Sequence, residues 1–346
     1  MASIFDLVTS KDVVAYWENM VQNRAPYVGE QLFPADKKLG LSLEWINGNS
    51  GIPIVLNLSG FDANAIPRSR EGFSISKTNM PFFKESLYID EELRQQLNMV
   101  LETGNTAYID VVMNRIFNDE VKLIEAARAQ RERMRMSALT TGAITMASNG
   151  QAVSFDYGVP AGHKATVSTT WGTSGATPIE DIRGWMDTIE DDTGVRPLRA
   201  MCNSSVWNAL LADASIKNTI YVYSQGVSSV SDNALTAFLK DQLNLSVYVN
   251  NKRYKNELGV STKFVANDTF VLFPEGQLGT TWFGTTPEES DLLSGSVANV
   301  AITDTGVAVT TMKKTDPVNV ETKVSMICLP SFESADQIFI ADTSAS

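Results

Sequence analysis

Residues 106 to 135 carry one long helical pattern, and no other stretch limits the fold so strongly. Ile109, Val112, Ile116, Leu123, Ile124 and Ala127 recur at helical spacing on one face. Glu125, Arg128, Glu132 and Arg135 alternate in sign at three- and four-residue spacing on another, as on a solvated face. At ~1.5 Å per residue such a segment is about 45 Å long. That is long for a globular domain and predicts a strut.

The segments before the strut read as arms. "KDVVAYWENMV" (11–21) places Val13, Val14, Trp17 and Val21 as a short amphipathic helix. "LSLEWI" alternates like a strand. Residues 47–80 read as a long β-hairpin, with strand-like "IPIVLNL" and a polar, turn-rich middle, "SGFDANAIPRSREG". Such an excursion contributes little to a core, and long loops in compact proteins are usually functional or disordered. The hairpin is expected to reach outside the subunit. Its tip charges, Asp62, Arg68, Arg70 and Glu71, are the candidate intersubunit contacts.

"PFFKESLYIDEELRQQL" (81–97) resembles a carboxylate motif, but Glu91-Glu92-x-Arg94 has no histidine and no second copy. Acids in a first helical turn face the positive end of the helix dipole. The stretch therefore reads as a hinge. Phe82, Phe83 and Tyr88 of an extended segment pack on a core, and Asp90 caps a helix.

Beyond the strut the pattern alternates. Short strands ("AVSFDY", "KATVSTTW") precede the helix "TPIEDIRGWMDTIEDDTG". Thr177 is the expected N-cap, Pro178 the first helical residue, Glu180 the capping-box partner and Gly194 the stop. Ile182, Trp185, Met186 and Ile189 form its buried stripe. A buried strand "LRAMCN", a helix capped by Asn203, the helix "DNALTAFLKDQL" and the strand "LSVYVNN" follow. "DTFVLFPEG", "GTTWFG", "VAVTTM", "VNVETKVSMICLPSF" and "QIFIADT" are strands. The fold class is α+β.

The same residues exclude most chemistry. The net charge of −12 is a poor match for a phosphate backbone. Cys202 and Cys328 are too few for a disulfide framework and read as buried thiols. The single histidine, His163, lies in a Gly-flanked loop without a nucleophile motif. Read as a loop residue, it should tolerate replacement by alanine. The acids Glu190, Asp191 and Asp192 read as a solvated helix end. No catalytic, cofactor-binding or metal-ligating residue is assigned, and no cofactor is expected. The opening residues, with Asp6, Lys11 and Asp12, do not read as a signal peptide. No apolar run is long enough to span a bilayer.

The order of these parts resembles the lambda-like major capsid proteins of tailed phages, which have the Hong Kong 97-type fold. The stretches that carry the resemblance are "GEQLFPADKKLGLSLEWI", "MPFFKESLYIDEELRQQL", "TPIEDIRGWMDTIEDDTG" with "AMCNSSVWNALL", and "TTWFGTTPEES". The resemblance implies an N-arm (1–40), an E-loop (41–85), a P-domain with a spine helix (86–175), an A-domain (176–300) and a β tail returning to the P-domain (301–346). It implies hexamers and pentamers in an icosahedral head, assembled in the host cytoplasm and enclosing DNA without sequence-specific binding. Implied partners are a separate scaffolding protein, a portal and, in some heads, a decoration protein, with no membrane. No coiled-coil region precedes the N-arm, so no fused scaffold is expected. Two alternatives stay open: an encapsulin-type nanocompartment shell of the same fold, and a hydrolase using His163.

Overall fold

A computed structural model describes residues 9–21, 25–47, 74–89, 91, 95, 99, 106–221, 230–292, 298–315 and 318–345. The chain divides into two compact units. The first comprises residues 1–43, 77–134 and 280–331; the second comprises 44–76, 135–279 and 332–346.

The first unit is built on β16 (Val318–Pro330), the longest strand. Its alternating Val, Thr and Met residues suit a pleated surface, and nearly every one is buried. Along one side β16 pairs antiparallel with β15 (Val307–Thr315), which pairs with β14 (Ala298–Thr303). Along the other it pairs with β4 (Phe82–Ile89), from Val320 opposite Ile89 to Ile327 opposite Phe82. Beyond that point it pairs with β13 (Thr281–Phe283), which runs parallel to β1 (Ala35–Lys37). The helix α1 (Ser10–Val21) packs on β14 and β15 and buries Val13, Val14 and Trp17, as its spacing predicts. The turn Val28–Leu32 forms α2.

The predicted strut is α3, one helix from Thr106 to Thr141. Ile116, Leu123, Ile124 and Ala127 are buried, as expected. The face read as solvated is not. Arg128, Arg131 and Glu132 are buried as well. Residues from the start of the chain supply their partners. Arg128 donates to both carboxylate oxygens of Glu30, at 2.8 and 3.1 Å. Glu132 accepts from the Gly29 amide at 3.1 Å, and Glu125 from the Trp17 indole at 3.0 Å. Arg131 pairs with Asp304 in the turn after β14 and lies over the Phe283 ring. A buried charge is tolerable only with such partners.

β2 (Ser42–Asn47), the predicted "LSLEWI" strand, pairs with β3 (Ser74–Asn79), the described strand of the predicted 47–80 hairpin. The "IPIVLNL" stretch and the tip lie outside the described residues. So does Asp90, but Glu91, Gln95 and Met99 are helical, in keeping with a helix after the extended segment.

The second unit has a five-stranded sheet in the order β7 (Lys164–Thr166), β17 (Phe339–Asp342), β12 (Thr269–Phe273), β8 (Arg199–Cys202), β9 (Ser246–Val249). Its outer pairs are parallel and its inner pairs antiparallel. Four helices, α4 (Pro178–Thr193), α5 (Ser204–Ala212), α6 (Ala214–Ile220) and α7 (Asp232–Leu243), share a core with the sheet. That core joins Ile182, Met186 and Ile189 of α4 to Ala200, Cys202, Phe270 and Phe339. Asn203 caps α5, its Oδ1 accepting from the Ser205 and Val206 amides at 2.8 and 3.3 Å. Gly194 ends α4 in the left-handed conformation. The expected capping box is absent, because Thr177 makes no side-chain cap and only its carbonyl accepts from Asp181. Two hairpins complete the unit: β5–β6 (Ala143–Ser148, Gln151–Asp156), with an Asn149-Gly150 turn, and β10–β11 (Arg253–Lys255, Ser261–Lys263).

Candidate assembly interface

His163 closes a 3-10 turn before β7 and is only 1% exposed. Its Nε2 lies 3.1 Å from Asp192 Oδ2. Its ring stacks on Phe339, Phe339 on Trp185, and Trp185 on Trp171, with centroids 6.2, 5.4 and 5.6 Å apart. The residue is a tile in an aromatic core rather than a replaceable loop side chain, so the expected tolerance to alanine is corrected. Cys202 sits on β8 with its thiol pushed up to about 12 by burial, which keeps it protonated and unreactive at neutral pH. Both cysteines are free and buried, as the sequence predicts. Among the described residues no three His, Cys, Asp or Glu side chains group to hold a metal. Glu190 and Asp187 are engaged by Arg196, and Asp192 by His163.

What the described surface offers is apolar contact area. β4 pairs with β16 along one side, and among the described residues no strand pairs along the other. An open edge is a template for another chain. Phe82 and Tyr88, expected to pack on a core, are 42% and 52% exposed, and Leu87, on the other face of the strand, is exposed as well. Lys314 covers the Tyr88 ring at 4.5 Å, donates to its hydroxyl at 3.2 Å and pairs with Glu321 at 2.8 Å. This arrangement fixes Tyr88 without burying it.

Leu39 and Leu41, on either side of Gly40, are exposed in the same unit. The Gly40 carbonyl would lie 2.7 Å from a Cβ on Gly284, so that turn is held close. In the second unit Leu258 and Val260 project from the β10–β11 turn, 86% and 56% exposed. Sequence reasoning did not single out these four residues. Their signal was a pair of apolar residues flanking a glycine shortly after a lysine, as in "KKLGL" and "KNELGV". Asp62, Arg68, Arg70 and Glu71, the predicted contact residues, lie outside the described residues. Exposed apolar patches mark places where a protein meets another surface or ligand.

A family model described as phage major capsid protein E matches residues 9–343. The chain belongs to the phage major capsid protein E family. It is thus a phage capsid protein, a structural component of the virion. Solved structures agree on the fold. A candidate prophage capsid protein of Escherichia coli CFT073 is similar at 14% identity, with 97% of this chain and 99% of that chain covered and a TM-score of 0.62. The capsid asymmetric unit of cyanophage A-1(L) is similar at 11% identity, with 93% of each chain covered and a TM-score of 0.53. A phage-related protein from Bordetella bronchiseptica RB50 is similar at 12% identity, with 96% and 98% covered and a TM-score of 0.53. Comparison with curated protein sequences gives no match. The Hong Kong 97-type capsid fold is therefore the fold of this chain. No helix among the described residues is long and apolar enough to cross a membrane.

Proposed function

We propose that this capsid protein assembles as hexamers and pentamers into an icosahedral head around double-stranded DNA, and that it carries no enzymatic activity. The family match along residues 9–343 is the observation that carries this reading. The exposed apolar edge of β4 and the exposed hairpin turns supply surface for many weak contacts, each repeated at every equivalent position in a lattice. The net charge of −12 suits a wall along which DNA must slide without sticking. The subdomains are the N-arm, E-loop, P-domain, A-domain and β tail at the boundaries given above. The E-loop tip, with Asp62, Arg68, Arg70 and Glu71, reaches a neighbouring subunit. A separate scaffolding protein, a portal and in some heads a decoration protein complete the particle, assembled in the bacterial cytoplasm.

The test is purification from the native source, followed by negative-stain microscopy and the 260/280 nm absorbance ratio of the shells. Closed, DNA-filled shells are expected. Shells filled with protein cargo would favour the nanocompartment reading. A monodisperse monomer or dimer that never assembles, with or without a scaffold, overturns the proposal.

A further inference from the structure

The β10–β11 hairpin carries a charge arrangement that its own fold does not explain. In its register Arg253 stands opposite Lys263, and Lys255 lies two residues from Arg253 on the same face. Like charges directly opposite each other destabilise a ribbon. Lys263 is tied to Asn267 Oδ1 at 2.7 Å, while Arg253 and Lys255 have no ion-pair partner among the described residues. The other face is anchored by Tyr254 on the buried Phe264, with ring centroids 5.0 Å apart. The turn is also built. Asn256 Oδ1 accepts from the Leu258 and Val260 amides at 3.1 and 2.9 Å, and Gly259 takes a φ of 76°. The finger carries one acid, Glu257, against Arg253, Lys255 and Lys263, and ends in the exposed Leu258.

A matching surface lies on α4. Gly184 sits mid-helix on its exposed side, where glycine costs about 1 kcal/mol relative to alanine. A Cβ there would meet nothing within 4 Å, so the chain's own packing does not require a glycine. The same side carries Glu180, Asp187, Glu190 and Asp191 against Arg183 and the neighbouring Arg196. Arg196 is engaged by Asp187 and Glu190, whereas Glu180 and Asp191 have no ion-pair partner among the described residues.

We propose that the β10–β11 finger of one copy docks on α4 of a second copy, with Leu258 against Gly184 and Lys255 over Asp191. The reach is compatible. Leu258 lies in the turn three residues past Lys255, a span of at most about 10 Å, and Asp191 is seven helical residues from Gly184, about 10 Å. Gly184 presents bare backbone on that helix face, with room beside it for an incoming side chain. The inference rests on the shell-subunit reading and names one of its contacts.

The experiment is paired. Leu258→Cys with Gly184→Cys in one full-length chain is assembled and then oxidised. Both native cysteines are buried, so a covalent ladder of subunits on a non-reducing gel reports the finger–helix contact. Separately, Lys255→Glu is expected to raise the protein concentration needed for assembly about tenfold. The double change Lys255→Glu with Asp191→Lys should restore it. Circular dichroism melting of the unassembled subunit should be unchanged in both charge variants, because the altered side chains are exposed. Shells that form without cross-linking, or a charge swap that gives no rescue, overturn this contact and leave the shell reading standing. A wild type that forms no shells overturns both.

Discussion

Arg128 on α3 and Glu30 at the start of the chain meet through two hydrogen bonds, 2.8 and 3.1 Å, across 98 residues of sequence. The pair is flanked by the stack of Arg128 on Tyr27, 5.1 Å to the ring centroid, and by the Gly29 amide donating to Glu132. A helix face that would otherwise bind water is thereby covered by the N-terminal segment. The contact turns a sequence pattern for solubility into a clamp.

Removing one half of this part-buried, bidentate pair takes the main partner from the Arg128 guanidinium. Glu30→Ala is therefore expected to destabilise the subunit by about 2 kcal/mol, read as a lower midpoint in urea with an unchanged slope. The double variant Glu30→Ala with Arg128→Met should recover much of the loss. If Glu30→Ala leaves the midpoint where it was, the N-terminal segment is not held by this clamp.

The turn after β14 sets a second expectation. A Cβ on Gly306 would lie 2.6 Å from Cδ1 and 2.7 Å from Cβ of Phe283. Phe283 is fully buried, and its backbone is paired on both sides, to Lys37 and Cys328. The ring has nowhere to move. Gly306→Ala should cost about 1–3 kcal/mol by overpacking, measured by thermal melting. An unchanged melting temperature would mean that the turn shifts freely.

The sequence did not reveal His163 as a core residue. The only sequence cue to its burial is the apolar run "QIFIADT" far along the chain, which brings Phe339 under its ring. His163→Ala is expected to destabilise the second unit by about 2–4 kcal/mol through the cavity it leaves. No activity should be lost with it, since none is expected. Melting curves that overlay those of the wild type would return His163 to the surface.

Local patterns were readable where local physics decides them. Asn203 caps α5, Gly194 stops α4, and β16 forms where "VNVETKVSMICLPSF" predicts a strand. Where a distant segment decides, the sequence was mute. Glu and Arg at four-residue spacing look alike on a wet helix face and on one clamped by Glu30 and Asp304. Phe82 and Tyr88 look like core residues because an aromatic in a strand is usually buried. Only the pairing of β4 along a single side among the described residues reveals an open edge. The exposed leucines at 39 and 258 belong to the same class: nothing nearby in sequence says whether another copy covers them.

Glu120 provides a pH test of how α3 seats on the sheet. Its carboxyl is buried against β16, where Thr322 donates to Oε1 at 2.8 Å and Oε2 has no partner among the described residues. Burial is the main cause that pushes its pKa up to about 7, with Asp119 adding to the rise and the Thr322 bond opposing it. The folded subunit therefore holds this proton more tightly than the unfolded chain does. The resulting stabilisation is fully present below about pH 4.5 and is lost as the pH rises to about 7. A shift of that size corresponds to about 3 kcal/mol. Glu120→Gln keeps the shape and stays neutral, so the comparison between variant and wild type isolates this group from every other titration. The variant should match the wild type near pH 4.5 and exceed it by up to about 3 kcal/mol at pH 8, in urea melts of the unassembled subunit. A difference between the two proteins that stays constant from pH 4.5 to 8 would mean that Glu120 is ionised and hydrated in the fold, and that α3 does not seal it against β16.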